Sequence, residues 1–328
     1  MELSVVVAAR EDDRPPTEVI DIAVAADRLG YPELWIGEGP TWDGFALATT
    51  IGHSVQQAAL TVGPMAVSVR DPAMIARGAA NVELLTGRTT GVALGTSSVR
   101  VVEGVHGRSR ARAATVLAET ATALHPLFGK DAPAPQPDDP AVHGFRRRLH
   151  PATGPLTIAA FGDRAIAIAA EHADRMVLDL VSPDQVRLLR SKLDAAAAHL
   201  ERPAPRLAAW LPTAVDPDER SYIQLLGSIA GYLTVRGYRE MFEAAGFGAA
   251  VELAAAGADR DRLVAALPRE AAAVVGIVGD TDTVQARIEE YAASGLDEVV
   301  IHPATAGDPA GGRTLTALVE MRSALRAT

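Results

Sequence analysis

Short, almost continuous apolar runs alternate with amphipathic helical segments from one end of the chain to the other, and this alternation limits the fold more than any other feature. The candidate strands cover residues 3–8, 33–37, 60–67, 90–95, 156–160, 176–180, 206–215 and 298–302. Most lack the in-out alternation of a half-solvated strand, as expected of parallel strands covered on both faces. The intervening segments carry helix punctuation. Pro15-Pro16-Thr17 opens a helix that stops at Gly30, and Asp71-Pro72 opens one that reaches Leu85 and stops at Gly87. Asp280-Thr281-Asp282 offers a cap for a helix that Gly295 closes. Eight strands with crossover helices predict an α/β fold, a closed (β/α)8 TIM barrel; an open doubly wound sheet is the competing layout.

Two stretches break the repeat. Residues 129–155 are rich in Pro, Asp, His and Arg and read as an irregular insert, and residues 216–270 carry extra helices, notably over 219–232 and 238–245. On a barrel such inserts commonly cover or shape the C-terminal mouth; surface padding or an oligomer contact is the plainer reading. With 328 residues the chain is long enough for one large core, so a single barrel domain over 1–328 is expected.

Composition removes several classes of function. A net charge of −10 argues against a sequence-independent grip on nucleic acid. The absence of cysteine removes disulfides and thiolate metal sites, and no HExxH or paired-His arrangement points to a metal. No basic leader precedes the first apolar run and no apolar stretch is long enough to span a bilayer, so a cytoplasmic protein without a membrane partner is expected. No GxGxxG opens the first crossover, which disfavours a Rossmann dinucleotide site.

Several segments resemble the luciferase-like flavin and deazaflavin enzymes. They are Ala26-Asp27-Arg28-Leu29-Gly30-Tyr31 with Leu34-Trp35-Ile36-Gly37-Glu38, Arg70-Asp71-Pro72 through Ala76-Arg77, and Leu84-Leu85-Thr86-Gly87-Arg88. Gly95-Thr96-Ser97-Ser98, followed by Val101-Val102-Glu103 and His106-Gly107, resembles the branch that uses coenzyme F420. Gly276-Ile277-Val278-Gly279-Asp280 and Gly295-Leu296-Asp297-Glu298-Val299 resemble the family's final β-α-β turn. The resemblance spans essentially the whole chain. It implies an F420-dependent oxidoreductase that moves a hydride between the deazaflavin C5 and a small organic substrate, and a homodimer. An FMN-dependent monooxygenase on the same fold and a non-catalytic flavin-binding protein are the alternatives.

Candidate site residues follow the strand ends. Glu38 ends the second strand, where barrels place functional side chains; the resemblance puts an acid here near the cofactor ring, and a helix-capping or solvated acid is the bland alternative. In Gly63-Pro64-Met65 the proline cannot donate to the ladder and the glycine weakens the strand, which together predict a bulge. The resemblance adds a cis bond at Gly63–Pro64 backing the ring. Thr96, Ser97 and Ser98 supply hydroxyls and backbone N–H groups for a ring edge, or cap a helix. Val102 lies further along as a cofactor contact. His106 is a candidate acid, base or cofactor ligand, or else structural. Phe161-Gly162-Asp163-Arg164 begins a helix whose free N–H groups suit a phosphate or a ring carbonyl, unless Asp163 caps that helix itself. Trp42, Trp210, Tyr222 and Tyr232 read as pocket wall or, more simply, core. Arg146-Arg147-Arg148 reads as a solvated patch, with the acidic tail of the deazaflavin as the sharper option.

Overall fold

The computed structural model describes residues 1–7, 14–39, 42–129, 149–235 and 238–327, with side chains up to residue 321. The Arg146–Arg148 run and most of the 129–155 insert lie outside the described residues. Among the described residues there are nine strands: β1 (Glu2–Val7), β2 (Glu33–Ile36), β3 (Ala59–Ala66), β4 (Thr90–Gly95), β5 (Leu156–Ala159), β6 (Arg175–Asp179), β7 (Arg206–Val215), β8 (Ile277–Gly279) and β9 (Glu298–Pro303). The helices are α1 (Glu18–Arg28), α2 (Gly44–Ser54), α3 (Pro72–Thr86), α4 (Ala113–Leu127), α5 (Asp163–His172), α6 (Pro183–His199), α7 (Glu219–Ala230), α8 (Tyr238–Ala244), α9 (Gly248–Ala255), α10 (Arg260–Ala266), α11 (Glu270–Val274), α12 (Thr281–Ala293) and α13 (Gly312–Ala327).

The sheet runs β6-β5-β4-β3-β2-β1-β9-β7-β8, and β6 also pairs with β7. Eight parallel strands, β1 to β7 and β9, thus form a closed α/β barrel. All eight expected strands occur, with bounds that agree to within one residue apart from residue 8, which lies outside the described residues. The added strand is β8, whose three residues pair with Thr213, Ala214 and Val215 at the end of β7. Two apolar residues between glycines are too short a run to stand out by hydrophobic pattern.

Local chemistry sets the helix ends. Asp71 Oδ1 accepts the Met74 amide at 2.9 Å with Pro72 in the first turn, and Gly87 closes α3 in the left-handed region at φ 68°. Asp280 caps α12 through the Thr283 amide at 2.9 Å, as its sequence context predicts.

The chain divides into two compact units, one of residues 4–177 with 191–208, the other of residues 1–3, 178–190 and 209–328. In the first, Arg175 at the start of β6 forms a two-pronged ion pair with Glu33 at the start of β2, at 2.8 and 2.7 Å. The same guanidinium reaches Thr157 and Thr61 and stacks 4.1 Å from the Trp35 ring centroid. Two threonine hydroxyls and an aromatic face complete the solvation that this buried charge pair loses from water. Asp27 on α1 accepts the amides of Gln56, Gln57 and Ala58 at 2.7 to 3.0 Å, fixing the entry to β3.

In the second unit the helical insert has its own core. Leu226, Ile229, Leu233, Phe242 and Val251 pack with Leu180 and Ala214. Among the described residues no helix is long and apolar enough to cross a membrane.

Candidate functional site

The segments that follow β2, β3, β4 and β5 leave adjacent strands of the first unit at their C-terminal ends. After β2 the chain reaches Glu38, and Asp43 caps α2 by accepting the Phe45 and Ala46 amides at 3.1 and 3.0 Å. Arg70, in the segment after β3, joins the two acids. Its Nε donates to Glu38 Oε1 at 2.7 Å, and its Nη2 donates to the same oxygen and to Asp43 Oδ2. The guanidinium also lies 5.5 Å from the Phe45 ring centroid. Burial opposes the Asp43 charge, yet Arg70 and the two capping amides hold its carboxyl below the usual carboxylate range. Burial likewise opposes the Arg70 charge, and the two carboxylates outweigh it, keeping the guanidinium protonated more firmly than an isolated one. Glu38 is therefore an anchored acid with one oxygen committed to Arg70.

β3 carries the expected bulge. Val62 pairs with Val92 but Met65 pairs with Leu94, so β3 spends one extra residue between them. The Gly63–Pro64 bond is cis and Gly63 sits at φ 121°. A Cβ at Gly63 would lie 2.3 Å from the Ala93 carbonyl oxygen, so the close approach of β3 to β4 requires glycine. Gly63 and Met65 are buried, whereas Pro64 is half-buried.

Beyond β4, Thr96 and Ser97 are half-buried and Ser98 is exposed. Ser97 holds φ at 54°, an uncommon left-handed position for a residue with a side chain and one that clusters at functional loops. Arg110 fixes this turn: its Nε donates to the Ser97 carbonyl at 2.8 Å and its Nη2 to Thr96 Oγ1 at 3.2 Å. A π-helix follows at Arg100–Val105, closed by the His106 amide on the Val101 carbonyl at 3.2 Å. Such turns are rare and often accompany functional sites. Val102 points into the core with no exposed surface, and His106 is exposed.

Past β5, Gly162 occupies the cap position of α5 without a side-chain cap. Asp163 does not take that role; its Oδ1 accepts from Lys192 Nζ at 2.7 Å, and Arg164 Nη2 donates to Thr115 Oγ1 at 2.9 Å. Among the described residues no side chain caps the first N–H groups of α5, which lie beside a glycine whose Cβ direction is open space. Phe161 is half-buried.

Sequence reasoning missed Arg70, Asp43 and Arg110. Asp43 before Gly44-Phe45 is a legible cap signal, whereas nothing in the local pattern shows that Arg70 reaches back 32 residues, or Arg110 back 13. Two buried polar atoms in these segments, Trp42 Nε1 and Ser68 Oγ, have no hydrogen-bond partner among the described residues. One is a donor and the other a donor and acceptor, and each carries a desolvation cost until something binds it. Among the described residues no group of three or more histidines and acids is placed to hold a metal.

Comparison with known proteins bears on the family and the fold. The sequence profile described as luciferase-like monooxygenase matches residues 1–298. A Mycobacterium tuberculosis protein with the provisional name coenzyme F420-dependent oxidoreductase is 23% identical over 93% of this chain and 95% of its own length. Among solved structures, the coenzyme F420-dependent tetrahydromethanopterin reductase of Methanopyrus kandleri superposes with a TM-score of 0.79 at 17% identity, covering 98% of each chain. An F420-dependent secondary alcohol dehydrogenase, solved with an F420-acetone adduct, gives 0.74 at 15% identity over 99% of each. The oxygenating component of the Pseudomonas putida 3,6-diketocamphane monooxygenase, solved with FMN, gives 0.68 at 15% identity over 98% of this chain and 97% of its own.

Proposed function

The chain belongs to the luciferase-like monooxygenase family, and on that premise we propose that it is a coenzyme F420-dependent oxidoreductase acting on a small organic substrate. The observation that carries the reading is the β3 bulge at Gly63–Pro64, set between the hydroxyl-bearing turn after β4 and the Glu38–Arg70–Asp43 cluster after β2. The F420-dependent relatives of the same fold support the deazaflavin over FMN.

The residues present fit such a group. Trp42 Nε1 and Ser68 Oγ, without a partner among the described residues, call for a polar ligand, and the uncapped start of α5 calls for an anionic or carbonyl oxygen. Gly63, Pro64 and Met65 would back the ring. Thr96, Ser97 and Ser98 would take its polar edge, with Val102 packing beneath their turn. Phe161, Gly162, Asp163 and Arg164 would receive an oxygen of the ring or its side chain at the α5 amides. When bound, a deazaflavin supplies hydride transfer at C5, and the protein contributes orientation and exclusion of water. Glu38, with one oxygen on Arg70, orients the substrate through the other. His106 holds the transferable proton on its imidazole. A homodimer belongs to the same reading.

Fluorescence titration tests it. Quenching of F420 on addition of the protein, saturating at micromolar concentration and unaffected by excess FMN, is the expected result. Saturable binding of FMN alone would move the assignment to an FMN monooxygenase. Binding of F420 with turnover unchanged in both Glu38→Ala and His106→Ala would remove the catalytic roles given to those residues.

A further inference from the structure

The segment that leaves β4 folds back so that Arg110 lies beside the turn that opens it. The Arg110 guanidinium donates from Nε to the Ser97 carbonyl at 2.8 Å and from Nη2 to Thr96 Oγ1 at 3.2 Å. Its backbone amide donates to Glu103 Oε1 at 3.1 Å, so the π-helix in turn holds the backbone of Arg110. Val102, fully buried, seats the middle of the segment, and its amide donates to the Ser98 carbonyl at 3.0 Å. One side chain thereby closes the segment onto its own first turn.

Ser97 is the strained point of that turn, at φ 54°. A residue with a Cβ keeps such a conformation only where its surroundings over-determine it, and the Arg110 fork on Thr96 and Ser97 does so here. The peptide between Ser97 and Ser98 is planar and trans, so fixing its carbonyl on Arg110 turns its N–H, that of Ser98, to the opposite side. Among the described residues no acceptor takes that N–H. We infer that Arg110 is a positioning residue of the cofactor site: it holds Ser97 in the left-handed conformation and so aims the Ser98 amide at the polar edge of the ring. The inference rests on the F420 reading and adds to it a residue that acts through the turn and not by touching the cofactor.

Two consequences separate this role from a direct contact. Glycine adopts the φ of 54° without the cost that a Cβ brings, so Arg110 should matter less when residue 97 is glycine. Lysine offers a point charge in place of a planar fork and cannot hold the carbonyl and the hydroxyl in one fixed geometry, so it should replace Arg110 only in part.

The test is a double-mutant cycle of Arg110→Met and Ser97→Gly, read by quenching of F420 fluorescence. Arg110→Met should weaken F420 binding by about tenfold in the parent but by no more than about threefold in the Ser97→Gly background. Arg110→Lys, the milder change, runs through the same cycle and should fall between Arg110→Met and the parent. In the cofactor-free proteins, Arg110→Met should speed hydrogen exchange of the Val101 and Val102 amides, which bond to Ser98, and leave the β4 amides unchanged. Thermal unfolding checks that each variant is folded at the titration temperature; an Arg110 that only stabilises the fold would lower the melting temperature and leave the F420 Kd of the folded protein unchanged. An equal loss from Arg110→Met in both backgrounds, undiminished binding by the folded variants, or unchanged exchange at Val101 and Val102 would each overturn the inference while the F420 reading stands. Failure of the parent itself to quench F420 would overturn that reading, and this role with it.

Discussion

Arg70 Nε donates to Glu38 Oε1 at 2.7 Å, tying the segment after β3 to the end of β2, and the same guanidinium reaches Asp43 at the cap of α2. One side chain therefore holds both acids of the β2–α2 connection. Arg70→Ala should leave Glu38 and Asp43 facing each other unpaired and lower stability by about 1–3 kcal/mol in urea unfolding. Arg70→Lys should recover only part of this, because a point charge cannot satisfy both carboxylates as a planar fork does. Equal stability of all three proteins would show that the cluster contributes nothing to the fold.

Gly63 and Gly162 should respond in opposite ways to the same added methyl. At Gly63 the new Cβ meets the Ala93 carbonyl oxygen at 2.3 Å with φ at 121°, so Gly63→Ala should cost about 3 kcal/mol or more, or fail to accumulate as folded protein. At Gly162 the Cβ enters open space, so Gly162→Ala should cost no more than about 1 kcal/mol, the usual scale for a helix cap. It should nonetheless weaken F420 binding by crowding the α5 amides. Thermal unfolding and the fluorescence titration separate the two effects.

The Glu33–Arg175 pair tests whether the buried charges hold the barrel together or only need each other. Arg175→Met alone strands the Glu33 carboxylate and should cost about 3–5 kcal/mol. Adding Glu33→Gln should restore much of that loss. A double variant no better than Arg175→Met would locate the cost in the lost packing on Trp35 instead, a contact of 4.1 Å to the ring centroid.

Two aspartates give opposite pH dependence. Burial acts against the Asp27 charge, but the amides of Gln56, Ala58 and Gln57 outweigh it and depress the carboxyl below its ordinary 3.8. The stability it contributes is full above that value and is lost as pH falls through the lower folded one; Asp27→Asn should flatten this acid limb. Asp179 is raised by burial to about 6, so its contribution is full below 3.8 and is lost as pH rises through about 6. Asp179→Asn should therefore gain roughly 1–3 kcal/mol on the parent between pH 5 and 8. Urea midpoints of the three proteins across pH 2.5–8 check both limbs.

The barrel strands were legible because parallel strands covered on both faces leave runs such as Thr90–Gly95 with almost no polar interruption. The β3 bulge was legible for a related reason: Pro64 removes a ladder donor and Gly63 removes the side chain that would strike Ala93. The Glu38–Arg70 bond was not, since a long side chain reaching back 32 residues leaves no periodic trace. The α5 start was legible in part, because Gly162 was expected at the turn, while the diversion of Asp163 to Lys192 needed the fold.

A crystal structure of the protein soaked with F420 is the most direct measurement of the central claim. Density for the tricyclic ring against Pro64, with oxygen atoms of the cofactor on the Thr96–Ser98 turn and the α5 amides, is the expected result. A ring seated away from the β3 bulge, or a fully occupied FMN there after soaking with both cofactors, would contradict it.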